Sequence, residues 1–292
     1  MKTYLGAFIA FIVALFISTS AALAAMPVES LIQQQGLDRA EERTGILQAI
    51  DTSNPKEVLV KNKDILGRKE LADVNSPSEL FYGEPYRVIV ANEDVIQALL
   101  TGKPLSPVLS TAPYYWEVPV FKRGPNPFLH KPVASFAVDI SEGKWQVVEV
   151  GGYLPPDLSA FSSNSKDIAI FLKRNGLTDA TSFAHFQILA LHTDFIYVAT
   201  ADQEFFVPLI HGRDELYGLR NKKIYTRDEV VATVGPILKA GLNNPMLDSG
   251  YAGSGPVPAR GKDGRKGNWV IFAGGMGIAL LIGYKIYRRV GC

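Results

Sequence analysis

The sequence predicts an α+β protein: an antiparallel sheet with packed helices, preceded by N-terminal helices and followed by one C-terminal transmembrane helix. Short β-branched segments alternate with helical patterns, and a Gly-containing turn joins two alternating segments at 133–140 and 144–150. A helix followed by three strands is predicted at 92–150 and again at 164–210, which suggests two halves. The chain of 292 residues is 47% hydrophobic and 20% charged, a composition that excludes a disordered protein.

Residues 1–24 have the three-part layout of a secretory signal peptide. Lys2 supplies a positive charge, an uncharged apolar run follows at 4–17, and Ala22 and Ala24 fit the A-x-A cleavage pattern. The alternative is an uncleaved anchor, but the apolar run of about 14 residues is shorter than the roughly 20 that a membrane span needs. We therefore expect cleavage and export of the mature chain.

Residues 25–83 are predicted to be an N-terminal helical region. An apolar stripe that includes Ile46 and Ile50 stops before Pro55, which is well placed to begin the next helix with Asn54 as its cap. The charge density of this region suggests helices that lie on a surface and do not form a core.

Residues 84–245 are predicted to form the α+β extracytoplasmic domain. Capping residues precede three helical segments: Asn92, Asn164 or Ser165, and Thr226 with Glu229 three residues later. In the predicted hairpin, alternation places Ala134, Phe136, Val138 and Ile140 toward a core. It also sends Tyr115 to the face opposite Tyr114 and Trp116.

The C-terminal part of the chain is predicted to anchor the protein in a membrane. Residues 246–267 form a Gly/Ser/Pro linker, and the apolar segment 268–287 is long enough to cross a bilayer core of about 30 Å as a helix. Both flanks of this segment are basic, so the positive-inside rule does not orient it. Export of the body decides the topology: a single-pass protein of the cytoplasmic membrane, mostly extracytoplasmic, with residues 288–292 as a cytoplasmic tail.

The predicted span also suggests partners. Membrane lipid contacts the helix, and Gly275, Ala279 and Gly283 recur every four residues, a spacing that lets two helices approach closely and would support a protein partner or self-association. The alternative is that small residues are simply common in membrane helices.

Four of the 30 basic residues but none of the 29 acidic ones lie outside 25–267, so the exported part has net charge −3 and no basic excess for nucleic acid.

Three stretches of the domain, 115–120, 131–135 and 143–152, resemble uncharacterised secreted bacterial proteins that pack a helix on an antiparallel sheet, of the cystatin-like or PepSY-like sort. The resemblance covers about 70 residues and implies an extracytoplasmic sheet-and-helix module in a bacterium, but no activity, because a shared fold does not fix function.

No sequence motif identifies a catalytic, cofactor-binding or metal site, and no cofactor is predicted. The one cysteine excludes an intramolecular disulfide, and His185 and His192 lie seven residues apart, which places them on opposite sides of a strand. The segment from His192 to Asp194 is interpreted as a hairpin turn and not as a catalytic pair. Four carboxylates on or beside the hairpin are predicted to lie on a solvated sheet face: Glu117, Asp139, Glu142 and Glu149.

Aromatic residues provide the candidate recognition surface, because aromatic side chains on an exposed sheet face bury a large area at low entropic cost. The candidates are Tyr114, Trp116, Trp145 and Tyr153; the alternative is that most of them fill the core.

The sequence favours a membrane-tethered extracytoplasmic binding or protein-interaction module of a bacterial cell envelope, with its ligand unidentified. The second hypothesis is a hydrolase-type envelope enzyme whose site is assembled from scattered residues.

Overall fold

The computed structural model describes residues 24–126 and 130–242. The helices of this part are α1 (Val28–Gln34), α2 (Arg43–Ser53), α3 (Pro55–Lys61), α4 (Lys63–Leu66), α5 (Glu93–Thr101), α6 (Leu105–Leu109), α7 (Pro156–Ser163), α8 (Ser165–Arg174) and α9 (Arg227–Leu242). The strands are β1 (Met26–Pro27), β2 (Leu80–Tyr82), β3 (Tyr86–Val90), β4 (Tyr114–Lys122), β5 (Lys131–Ser141), β6 (Lys144–Val150), β7 (Asp179–Ala180), β8 (Ser182–Ile188), β9 (Thr193–Ala199), β10 (Glu204–Ile210), β11 (Glu215–Leu216), β12 (Leu219–Arg220) and β13 (Tyr225–Thr226).

One nine-stranded sheet organises the described chain, in the order β13-β10-β9-β8-β3-β4-β5-β6, with β2 paired to β4 beyond the end of β3. The predicted α+β class is therefore confirmed. The sheet is mixed and not purely antiparallel, because β3 pairs with β8 in parallel and places Val88 opposite His185. Strand β3 thus joins the antiparallel units β4-β5-β6 and β8-β9-β10, and we call this pairing the seam.

The back face of the sheet, defined by Trp116, Phe136, Phe186 and Phe195, is largely apolar. Helices α5 and α9 cover Phe186 and Phe195, and helices α2 and α3 cover Trp116 and Phe136. Ile46 of α2 is fully buried here. The N-terminal helices therefore contribute side chains to a core, in contrast to the surface role that their charge density suggested.

The front face is divided into an apolar and a polar part. Over β8, β9 and β10 it is apolar, and helices α1 and α8 pack on Phe183, Ile196 and Val207. Over β3, β4, β5 and β6 it carries Tyr86 and Glu117 instead, and helix α7 packs on strands β4 and β5. This polar part of the front face positions the candidate site.

The predicted caps and the predicted hairpin turn are present. The Asn92 and Asn164 side chains accept hydrogen bonds from the Val95 and Asp167 amides at 3.1 and 3.0 Å. The Thr226 amide donates to Glu229 Oε2 at 2.7 Å, and the Glu229 amide donates back to Thr226 Oγ1 at 3.3 Å. In the hairpin β5–β6, Ala134, Phe136 and Val138 join the core as predicted, whereas Ile140 is 57% exposed.

No helix within residues 24–126 and 130–242 is both long and apolar enough to cross a membrane. The predicted span 268–287, its packing residues Gly275, Ala279 and Gly283, and the signal peptide up to residue 23 lie outside the described residues. Ala24, the last residue of the predicted cleavage pattern, is exposed.

Candidate functional site

Two glutamates flank one small residue on the polar part of the front face. Glu117 of β4 and Glu149 of β6 both lie directly opposite Ala137 of the intervening strand β5. Adjacent strands lie about 5 Å apart, so the two backbone positions are about 10 Å apart with a methyl group between them. The register therefore places the two carboxyl side chains on the same face of the sheet, one on each side of Ala137.

The surroundings of these glutamates favour their protonated forms. Glu117 is 6% exposed, and burial raises its pKa well above the usual range, with the charges of Glu149 and Asp194 adding to the effect. Burial also raises the pKa of Glu149 to about 7, against the attraction of Arg68 and His211. Glu149 is therefore a carboxylic acid that gains and loses its proton near neutral pH, a property of many general acids and bases.

A glycine loop closes over the inner glutamate. Gly152 has φ +64°, and a Cβ atom built on it would lie 1.9 Å from Ser135 Oγ and 3.4 Å from Glu117 Oε1. Only glycine combines this left-handed conformation with so close an approach. The Arg68 guanidinium donates a hydrogen bond to the Gly152 carbonyl and so ties the loop to the N-terminal helical region.

An aspartate–histidine pair forms the opposite wall of the site. His211, immediately after β10, lies with Nε2 2.9 Å from Asp194 Oδ1 of β9, and the two side chains are 12% and 7% exposed. The Tyr153 ring stacks parallel to the His211 imidazole with centroids 6.3 Å apart. Because Tyr153 is 56% exposed, it marks the solvent end of the site.

Several buried hydroxyl groups and one imidazole line the closed side of the site, where Ser135 interacts with the Glu117 carboxyl and Ser159 and Ser162 with the Tyr86 hydroxyl. They are Tyr86 Oη, Ser135 Oγ, Ser159 Oγ, Ser162 Oγ and His185 Nε2. The Tyr86 ring lies 4.9 Å from the His185 ring, and burial lowers the pKa of His185 to about 3, so this imidazole is neutral at physiological pH. Beside them a shallow opening is lined by Gln35 and Glu84.

The four predicted recognition residues do not form one surface. Trp116 is 1% exposed in the core, where its indole donates to Glu42 Oε1 at 3.3 Å; Tyr114 donates to the same oxygen at 2.9 Å. Trp145 packs against α2 on the same back face. Tyr153 alone of the four lies at the candidate site. Alternation correctly sends Tyr115 to the front face, where burial, and then the charges of Asp194, Glu117 and Glu149, raise its pKa.

The prediction of a solvated carboxylate face is wrong for Glu117, because helix α7 packs on β4 and β5 and the glycine loop approaches Glu117; Glu149 is partly buried. Reading His192–Asp194 as turn chemistry alone missed the pairing of Asp194 with His211. Two signals could have located the site: the Gly151-Gly152 pair directly after a strand, and the buried serines of α7 at positions where a core helix has apolar residues. Within the described residues, no group of three or more His, Cys, Asp or Glu could hold a metal ion.

Comparison with known proteins adds no neighbour. No protein-family model, no curated protein sequence and no solved structure matches the chain. The resemblance to cystatin-like or PepSY-like modules therefore stays a prediction from the sequence.

Proposed function

We propose that the chain is a membrane-tethered extracytoplasmic binding module of a bacterial cell envelope, and that it binds a polar ligand at the front-face site. The observation that carries the proposal is the convergence of Glu117, Glu149 and the Asp194–His211 pair on one sheet face, next to exposed Tyr153. Buried ionisable groups cost stability, and they are concentrated at functional sites.

The proposed membrane anchoring is supported by sequence features at both ends of the chain. The signal-peptide pattern of residues 1–24 exports the body, the segment 268–287 holds it in the cytoplasmic membrane through contact with lipid, and the linker 246–267 separates the two. A protein partner or a second copy of the chain would meet the span at Gly275, Ala279 and Gly283.

Deletion of residues 268–292 is expected to release the protein from the membrane as a soluble product that begins near residue 25. The full chain should resist carbonate extraction, and protease added to spheroplasts or protoplasts should digest its body. Fractionation and immunoblotting measure both. A truncated chain that stays with the membrane would mean an uncleaved N-terminal anchor, and a protease-resistant body in the full chain would invert the proposed topology.

A photoreactive residue at position 153 tests the binding site. With p-benzoyl-phenylalanine in place of Tyr153, irradiation of the full chain in native membranes should produce a ligand adduct, seen as a mass increase of the protein. The matched control replaces Tyr217, which is 39% exposed on the β11–β12 turn. Adducts of equal yield at both positions, or at neither, would refute the site.

A hydrolase-type enzyme is the second candidate, and the pKa of about 7 for Glu149 next to the Asp194–His211 pair favours it. The change Glu149→Gln separates the two functions in the same crosslinking experiment. In a binding module this change weakens the adduct at position 153. In an enzyme it stops turnover while substrate still binds, and the adduct becomes stronger.

A further inference from the structure

The front-face site is closed in the structure, so a ligand reaches it only if part of its cover moves. Glu117 is 6% exposed, and so is Ala137, which lies opposite both glutamates of the site. The opening beside Gln35 and Glu84 does not lead to them, because its lining contains neither Glu117 nor Glu149. The proposed binding function therefore requires that one of the covering segments is mobile.

Two segments cover this part of the sheet, and they differ in how firmly they are held. Helix α7 and the residue that leads into it are anchored in the core, where Leu154 and Leu158 are each 3% exposed and pack with α1 and α8. The glycine loop, residues 151–153, has no such anchor: its two glycines have no side chain, and the Tyr153 side chain is 56% exposed. The glycine loop is therefore the part of the cover that moves at the smaller cost in buried apolar area.

Two consecutive glycines give this loop a hinge. Gly151 and Gly152 have φ of +116° and +64°, and glycine exchanges between such conformations and the ordinary ones without a steric penalty. Both ends of the loop are fixed, since the Gly151 amide donates to the Ser135 carbonyl at 2.9 Å and Leu154 is buried. The movable part is thereby confined to Gly152 and Tyr153.

Three contacts hold the loop in its closed position, and each comes from a different part of the chain. The Arg68 guanidinium donates to the Gly152 carbonyl. The Tyr153 hydroxyl interacts with the Glu149 carboxyl, and the Tyr153 ring lies parallel to the His211 imidazole. One charge-assisted hydrogen bond and two contacts of a half-exposed side chain are few enough to break and form again while the rest of the fold stays intact.

We propose that the glycine loop is the gate of the front-face site: it releases Arg68 and His211, swings away from Glu117, admits the ligand and closes again. This inference rests on the proposed binding function and adds how access to that site is controlled. Loops that gate a site turn on a few hinge residues and belong to the weakly held parts of a fold. A ligand that contacts Tyr153 only in the closed position would shift the loop toward closure.

The reaction of a buried thiol with iodoacetamide measures the opening of the loop. In the full chain in detergent micelles, Cys292→Ser removes the native thiol and Ala137→Cys places one between the two glutamates. Ala184→Cys is the matched control, because Ala184 is 5% exposed in the core of the back face, where opening of the loop does not uncover it. We expect the Ala137→Cys thiol to react at least about tenfold faster than the Ala184→Cys thiol.

Three variants separate opening of the loop from unfolding of the whole protein. Arg68→Met and Tyr153→Ala remove contacts of the closed loop, and each should speed the reaction of the Ala137→Cys thiol by about fivefold or more. Val234→Ala removes buried methyl groups from α9 on the back face, contacts that are intact in the closed and the open loop alike. It should speed the reaction of the Ala184→Cys thiol by about tenfold and leave the Ala137→Cys rate unchanged.

The gate is refuted if Val234→Ala speeds both thiols equally, or if Arg68→Met and Tyr153→Ala leave the Ala137→Cys rate unchanged. The two proposals fail in distinguishable ways. If the photoreactive residue at position 153 captures a ligand but the thiol is uncovered only by unfolding, the ligand enters by another route and the gate is wrong. If the loop opens but position 153 captures nothing, the gate stands and the binding function falls.

Discussion

Replacing Gly152 with alanine is expected to lower the free energy of unfolding by about 3 kcal/mol or more. A φ of +64° costs a residue with a side chain about 1–2 kcal/mol, and the new methyl group would lie 1.9 Å from Ser135 Oγ, an overlap that costs a further 1–3 kcal/mol or so. The loop must then move off Glu117. Chemical unfolding of the full chain in micelles, followed by tryptophan fluorescence, measures the loss.

Gly143→Ala is the matched control for this prediction. Gly143 also has a positive φ of 76°, in the β5–β6 turn, but nothing lies within 4 Å of the position where its Cβ would be. This variant should cost only the conformational part, about 1–2 kcal/mol. The double variant Gly152→Ala/Ser135→Ala removes the overlapping oxygen and should recover much of the difference. Equal losses for Gly143→Ala and Gly152→Ala would show that the loop does not press on Ser135.

Glu149→Gln is expected to stabilise the protein at alkaline pH and to have much less effect in mild acid. The pKa of Glu149 is about 7 in the folded protein and 4.5 as its ordinary value, so the folded state holds the proton more tightly. A raised pKa contributes stability below pH 4.5 that is lost as the pH rises through 7. Between pH 5.5 and 8.5 the free energy of unfolding of the wild type should fall by about 2 kcal/mol for this reason. The glutamine variant cannot ionise at position 149 and should not show this fall.

The buried histidine also affects stability at the acidic end of this pH range, but it does so equally in both proteins. Burial lowers the pKa of His185 to about 3, so its contribution runs in the opposite direction and is lost as the pH falls below 6.5. The wild type and Glu149→Gln both contain His185, so its contribution cancels in the difference between their free energies of unfolding. Glu229→Gln is the control: hydrogen bonds from Thr226 lower the pKa of Glu229, and its variant should change stability by the same amount at pH 5.5 and 8.5. A difference between wild type and Glu149→Gln that does not vary with pH would contradict the assignment.

The sequence predicted the parts of the fold that depend on neighbouring residues. The caps Asn92 and Asn164 and the pair Thr226–Glu229 are local hydrogen-bonding patterns, and the structure contains all three. The β5–β6 hairpin is equally local, because its strands are joined by the two-residue turn at 142–143. Alternation along one strand also sufficed to separate Tyr115 from Trp116.

The candidate site could not be predicted because it depends on contacts between distant segments. The burial of Glu117 results from helix α7 and the Gly152 loop, which follow it in the chain by about 35 residues or more. Asp194 lies directly opposite Leu209 in the β9–β10 hairpin, but its side chain pairs with His211, which is two residues further along the chain. An aromatic surface was predicted from a group of aromatic residues on and near the strands, but the N-terminal helices cover Trp116, and of the four candidates only Tyr153 lies at the site.

The seam between β3 and β8 has a consequence for how the chain folds. It joins residues that lie about 100 positions apart, such as Val88 and His185, whereas the hairpins on either side of it close over short turns. Contacts of such long separation form late, so each hairpin unit is expected to assemble before the seam closes. Glu117 and Glu149 belong to one unit and Asp194 and His211 to the other. The carboxylates and the histidine are therefore expected to come together only in the final step of folding, and a chain stalled before that step would have most of its secondary structure but not the assembled front-face site.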